Sequence, residues 1–178
     1  FTEEVRRKGT TEKEELGRFV TFIREFADTC HHGKEELILF AAMVEHGFPR
    51  DGGPIAVMLH EHEQGRGLVR ILRDRVAQQQ AWSDADRQEL AEVASGFATL
   101  LRAHIHKEDA ILYPMAGQRL SPEALERVSA DCEAYEARKT GSGEHERLHR
   151  LADDLLARHA PLTRDELTPS HRHAGGCC

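Results

Sequence analysis

The sequence predicts an all-α protein: an up-and-down antiparallel four-helix bundle with additional helices at its C-terminal end. Three observations carry this. Apolar residues recur at spacings of three and four through most of the chain, the pattern of helices that each bury one face. No stretch alternates with the period of a strand. Cap and turn signals cut the chain into long segments joined by short connections, which makes sequential helices antiparallel neighbours.

Phe1 to Lys8 reads as the tail of a helix stopped by Gly9, so a preceding segment is expected. Thr11 and Glu14 form a capping box. Leu16, Phe19, Val20, Ile23, Phe26, Ala27 and Cys30 then share a face that continues through His31, Glu35, Ile38 and Ala42, predicting one helix over about 11–46. Pro49 to Pro54 is a turn, with Pro54 in the first helical position of a second helix. Its face is Ile55, Met58, Leu59, His62, Leu68, Val69, Leu72 and Val76, ending near residue 80. Ser83 and Asp86 cap a third helix with Leu90, Val93, Phe97, Leu100, Leu101, His104, Ile105, Glu108 and Ile111 on one side, closed by Pro114. Ser121-Pro122-Glu123 opens a fourth helix, Gly141-Ser142-Gly143 interrupts it, and Glu144 to about Arg158 forms a fifth.

With 178 residues and 39% hydrophobic content the chain supports a single core, placed in residues 1–160, with 161–178 expected to be a flexible tail. The net charge of -7 argues against nucleic acid or an anionic membrane as partner. With no apolar run of transmembrane length and no signal segment, a cytoplasmic location is expected. Four cysteines without regular spacing are no disulfide framework, whereas twelve histidines exceed what solvation requires and point to metal.

One decapeptide is written twice. His31-His32-Gly33-Lys34-Glu35-Glu36-Leu37-Ile38-Leu39-Phe40 returns as His104-Ile105-His106-Lys107-Glu108-Asp109-Ala110-Ile111-Leu112-Tyr113. Each copy holds His-x-x-x-Glu, and residues four apart on a helix lie one above the other, so imidazole and carboxylate can grip one ion. Counting at about 1.5 Å per residue from the shared turns, Glu35 and His62 differ in height by roughly 5 Å, and His62 and His104 by roughly 3 Å. All three helices therefore carry polar residues at one level of an apolar interior. Burying them unpartnered would cost several kcal/mol, a cost that a metal removes.

Carboxylates and imidazoles from facing helices suit iron or manganese. Ferritin-like di-iron proteins write Glu-x-x-His; this chain writes His-x-x-x-Glu. It resembles instead the hemerythrin-like family of HHE cation-binding domains. The resemblance rests on His31-x-x-x-Glu35, on Gly53-Pro54 leading to Met58-Leu59-x-Glu61-His62-x-x-Gly65-Arg66, and on His104-Ile105-x-Lys107-Glu108-Asp109-x-x-Leu112-Tyr113-Pro114, and runs from about Thr11 to His159. The resemblance implies His31, His62 and His104 as terminal ligands and Glu35 and Glu108 as bridges of two non-haem iron ions, with manganese or zinc as substitutes. It also implies dioxygen, peroxide or nitric oxide as the ligand.

The sequence departs from the family at two places. Oxygen carriers have a histidine where this chain has Met58, which favours redox chemistry or sensing over reversible carriage. The family's first-helix histidine would fall before Phe1. Turnover, a sensing or storage module without turnover, and a structural metal bundle are the functions to be told apart. Among the neighbours, α-helical geometry turns His32, Lys34, Glu36, Lys107 and Asp109 off the ligand face, with support of the ligands from behind as their other possible role. His60 and His106 are expected in solvent, and Glu61 could orient the site. Phe26, Phe97 and Tyr113 are read as core, with a hydrogen bond from Tyr113 to the centre as its other possible role. His145 and His149 form an i,i+4 pair read as surface, able to compensate for the absent ligand; His171, His173, Cys177 and Cys178 belong to the tail.

Overall fold

The computed structural model describes residues 12–159, and within them the side chains of 13–139 and 143–159. Four helical rods make up the described chain. The first, α1, begins as α-helix over Glu12–Phe22, passes through π-helical turns at Ile23–His32 and Glu35–Leu39, and ends as α-helix over Phe40–Glu45. Rod α2 is Gly53–Ala77. Rod α3 is Asp84–Lys107, continued by a π-helical turn at Glu108–Leu112 and by Tyr113–Arg119. Rod α4 is Pro122–Arg158. No strand occurs among the described residues, and no helix among them is long and apolar enough to cross a membrane. The all-α antiparallel architecture expected from the sequence is the one observed, with α4 as its C-terminal rod.

The starts of the rods follow from local chemistry. Ser83 accepts from the backbone of Asp86 while the Asp86 side chain accepts from the backbone of Ser83, a reciprocal cap. Ser121 accepts from Ala124 N at 3.2 Å, and Pro122 occupies the first turn, where a missing N–H costs nothing. Gly47 at φ +89° and Gly53 at φ +63° supply the left-handed conformations of the α1–α2 turn.

Two apolar clusters bracket a polar layer. One end of the bundle packs Phe40, Met43, Phe48, Ile55, Met58, Leu112 and Ala116, with Leu120 from the α3–α4 turn and Ala124 from the start of α4. The other packs Leu16, Val20, Val69, Leu72, Trp82 and Leu90. Between them, Glu35, His62, His104 and Glu108 are the buried polar or charged side chains among the described residues, each at 4% exposure or less.

The structure departs from the sequence expectation in the ends and faces of the rods. Pro114 does not close α3, which runs on to Arg119. The π turn just before it shifts the hydrogen-bond ladder from i–4 to i–5, and a proline can sit where that shift frees a backbone position. The buried face of α1 also moves: Phe40 and Met43 are fully buried, whereas Ile38 and Ala42 are only half-buried, because an i→i+5 turn sets Phe40 above Glu35. On α3, Ile105 and Ile111 are 44% and 47% exposed, off the core their spacing assigns them to. The two C-terminal helical stretches join into one element, α4, with Gly143 at φ +95° where the break was expected. The Phe1–Lys8 helix tail, the Thr11 cap and the residues after 159 lie outside the described residues.

Rod α4 lies antiparallel along the outer side of α1. Lys34 pairs with Glu136 at 2.8 Å, Glu25 with Arg147, Arg18 with Asp154, and His159 with Glu15 at 2.9 Å. Gly33, which stands where the second copy of the decapeptide has His106, is explained here. A β-carbon at Gly33 would collide with the Tyr135 hydroxyl, which is held in place by donating to Thr29 O at 3.0 Å. Gly33→Ala is therefore expected to destabilise the protein by about 1–3 kcal/mol, the usual cost of overpacking. Urea unfolding measures it, and an unchanged midpoint would show that α4 yields freely.

Candidate metal centre

The site is built by α1, α2 and α3 at one level. His62 Nδ1 donates to Glu36 Oε1 at 2.7 Å, and His104 Nδ1 donates to Glu61 Oε2 at 3.0 Å. A carboxylate only accepts, so both protons are assigned to Nδ1, and in the neutral rings the Nε2 lone pairs face inward. Those two Nε2 atoms stand 3.1 Å apart. Lone pair against lone pair is repulsive unless something positive lies between them. Two imidazole nitrogens about 2.0–2.1 Å from one ion at a right angle would be about 2.9 Å apart, close to the observed spacing.

The carboxylates complete the arrangement. Glu35 Oε2 lies 3.4 Å from His62 Nε2 and 3.7 Å from His31 Nε2. Glu108 Oε1 lies 2.9 Å from His104 Nε2 and 3.5 Å from His31 Nε2. Each carboxylate oxygen thus stands between imidazoles of two helices, yet both Glu35 Oε2 and Glu108 Oε1 are buried and accept no well-formed hydrogen bond. Ligand atoms of Glu35, His62, His104 and Glu108 all fall within 4.8 Å of one another. His31 lies at the edge, its side chain 38% exposed.

Electrostatics describe the same demand for cations. Burial pushes the Glu108 carboxyl up, but the His104 and His31 imidazoles outweigh it and hold the group well below the ordinary carboxylate range. Glu108, followed by the opposing effect of burial, raises the proton affinity of His31. For His104, burial works against the proton while Glu108 and Glu61 outweigh it. Without metal, protons supply the positive charge that the carboxylates require; metal binding displaces them.

Several neighbours lie closer to the centre than helical counting allowed. His32 stacks on His62 with ring centroids 3.9 Å apart, and its ligand atom lies within 4.8 Å of those of His62 and His104. A regular α-helix would turn His32 outward; the π turn ending at His32 brings His31 and His32 to the same side. Glu36 is brought in similarly, and Arg66 braces it at 2.8 Å while also donating to Asp28 at 2.7 Å. Lys107 holds the other oxygen of Glu61 at 2.7 Å. Both inward-facing histidines are thus oriented by carboxylates that are themselves anchored by cations. Tyr113, read as core, is 37% exposed, and its hydroxyl donates to Glu35 Oε1 at 2.8 Å. His60 and His106 are exposed. Met58 is 1% exposed in the apolar cluster, so the position that carries a histidine in the carriers is filled by packing.

A cavity of about 230 Å³ opens beside His32, His62 and His104 and runs between α1, α2 and α3 along Ala27, Val69, Phe97 and Leu100. It is smaller than the roughly 300–1,000 Å³ of sites for drug-sized ligands.

A helical bundle with imidazoles and carboxylates converging in its interior is a cation-binding bundle. A family profile described as Hemerythrin HHE cation binding domain matches residues 2–116. The chain belongs to this family, and the matched residues end in α3, before α4 begins. No curated protein and no solved structure matches the chain.

Because Glu36 and Glu61 fix the tautomers, removing either is expected to weaken metal binding without unfolding the bundle. Glu61→Gln should lower metal affinity about 10–100-fold, the usual cost of losing a carboxylate behind a ligating histidine. Competition against a chelator of known affinity reads the change; equal affinities would remove Glu61 from the site.

Proposed function

We propose that this protein holds two non-haem iron ions and binds or reacts with dioxygen, peroxide or nitric oxide. The observation that carries this reading is the pair of Nδ1-tethered imidazoles, His62 and His104, directed at each other at 3.1 Å beside two buried carboxylate oxygens that accept no hydrogen bond. His62 and His104 would serve one ion and His31 the second, with Glu35 and Glu108 bridging. The donor set of nitrogen and carboxylate oxygen suits iron, manganese and zinc, and the absence of thiolates among the clustered residues disfavours soft ions. Two irons so held would supply a redox-active pair with open positions for a small ligand.

The chain's own groups define what reaches that pair. The small cavity, walled by Ala27, Val69, Phe97 and Leu100 with Arg66, Arg70 and Arg73 also along it, admits a diatomic molecule or peroxide more readily than a bulky substrate. The Tyr113 hydroxyl fixes Glu35 and can offer a hydrogen bond beside the centre; burial and the Glu35 charge raise its proton affinity, so it stays a donor. Met58, Phe40 and Leu112 close the opposite side with apolar atoms, limiting water.

The test is metal analysis together with a visible spectrum of anaerobically reduced protein exposed to air. Two irons per chain and a charge-transfer band that appears on exposure are expected. Zinc with no such band would replace this reading with a structural metal bundle. Steady consumption of peroxide would then separate turnover from sensing or storage.

A further inference from the structure

We propose a second, mononuclear metal site on the outer face of the protein, formed by His145 and His149 of α4, for a divalent transition ion of tetragonal preference such as copper(II) or nickel(II). The two residues are one helical turn apart, and their Nε2 atoms converge to 2.9 Å. That is the separation of two imidazole nitrogens bound cis at about 2.0–2.1 Å and a right angle; a tetrahedral angle would need about 3.3–3.4 Å. The spacing therefore favours ions that accept right-angle geometry, and the affinity order of divalent ions favours copper and nickel among them.

The site has its own orienting group. His145 Nδ1 donates to Glu136 Oε1 at 2.8 Å, which leaves the His145 Nε2 lone pair facing His149. The other oxygen of Glu136 is held by Lys34 at 2.8 Å, and the edge of the His149 ring meets Phe26 with centroids 6.3 Å apart. Both histidines are exposed, so an ion can enter and water can fill its remaining positions.

Glu136 and His145 are nine residues apart, about 13.5 Å along a straight helix. Their contact shows that α4 bends, and the left-handed Gly143 lies between them. From the Lys34–Glu136 pair to the Glu25–Arg147 pair, α1 spends nine residues (34 to 25) and α4 eleven (136 to 147), so the bend takes up the excess. The same bend brings the Glu136 carboxylate behind His145. Because α4 lies on the outer side of α1, His145 and His149 belong to a separate site and do not complete the interior one. An ion there would secure the bend and, through Glu136, hold α4 to Lys34, the residue beside the first ligand pair.

The experiment is a nickel(II) titration of the full chain by calorimetry, comparing wild type with His149→Ala and His145→Ala. Wild type is expected to bind one more nickel per chain than either variant, and Glu136→Gln to bind that ion about 10–100-fold more weakly. With copper(II), the paramagnetic spectrum of wild type should show two equatorial nitrogens that disappear in His149→Ala. Both histidines are exposed, so the variants should retain the helical circular dichroism of wild type. Equal nickel stoichiometry in wild type and His149→Ala would overturn the site, as would a copper spectrum unchanged by the substitution. The comparison is a difference at one position, so its outcome is independent of what the interior centre binds.

Discussion

Glu108→Ala is expected to reduce bound iron from two per chain to at most one and to abolish the spectral response to air. Glu108 Oε1 lies 2.9 Å from His104 Nε2 and 3.5 Å from His31 Nε2, so this one oxygen connects the α3 imidazole to the edge imidazole of α1. Without it, the second ion of the proposed pair would keep only His31, 38% exposed, and one carboxylate. Alanine leaves no new unpaired charge in the interior, so the metal-free variant should still fold. The thermal consequence is separate and measurable. Metal at 100 times its dissociation constant adds about 2.7 kcal/mol to stability, or roughly 5–11 °C in a domain of this size. Wild type should lose that increment on chelation, and the variant should show little of it. Two irons per chain in both Glu108→Ala and Glu35→Ala would make the bridging assignment wrong.

Phe40→Ala is expected to cost about 3–5 kcal/mol, a larger stability effect than that of Gly33→Ala. Phe40 is fully buried in the apolar cluster at the α1–α2 end of the bundle, and its ring lies parallel to that of His62 with centroids 6.1 Å apart. The cavity left by its removal is lined by Met43, Ile55, Met58 and Leu112, all at 1% exposure or less. Urea unfolding with and without metal separates the two contributions. The metal-free protein should already show most of the loss, because it arises from packing. Phe40→Leu should recover more than half; equal losses for leucine and alanine would point to a specific role of the ring against His62 instead.

The candidate site was legible to the extent that it depends on spacing. His-x-x-x-Glu written twice places an imidazole and a carboxylate on one face whatever the tertiary fold, and counting from turns brought His62 level with them. The structure gathers Glu35, His62, His104 and Glu108 and sets His31 beside them. Their surroundings were not legible, for a specific reason. Helical counting assumes 3.6 residues per turn, and α1 and α3 abandon it at Ile23–His32, Glu35–Leu39 and Glu108–Leu112. Each wider turn rotates the residues C-terminal to it, so His32 and Glu36 come inward and the core contact passes from Ile38 to Phe40. In both copies a π turn begins at the glutamate of His-x-x-x-Glu, so the sequence repeat is also a repeat of backbone geometry.

By itself, then, the sequence determined the helices, their order, and the residue types that meet in the middle, because caps, turns and apolar periodicity act within a few residues along the chain. Tertiary structure decided the register within those helices: which ring nitrogens are tethered by Glu36 and Glu61, that Tyr113 reaches across to Glu35, and that α4 covers α1 against Gly33. Those depend on contacts between residues far apart in sequence, such as the 78 residues separating Tyr113 from Glu35. The helical period could not carry that information, because it assumes a uniform turn and says nothing of which side chains meet across rods.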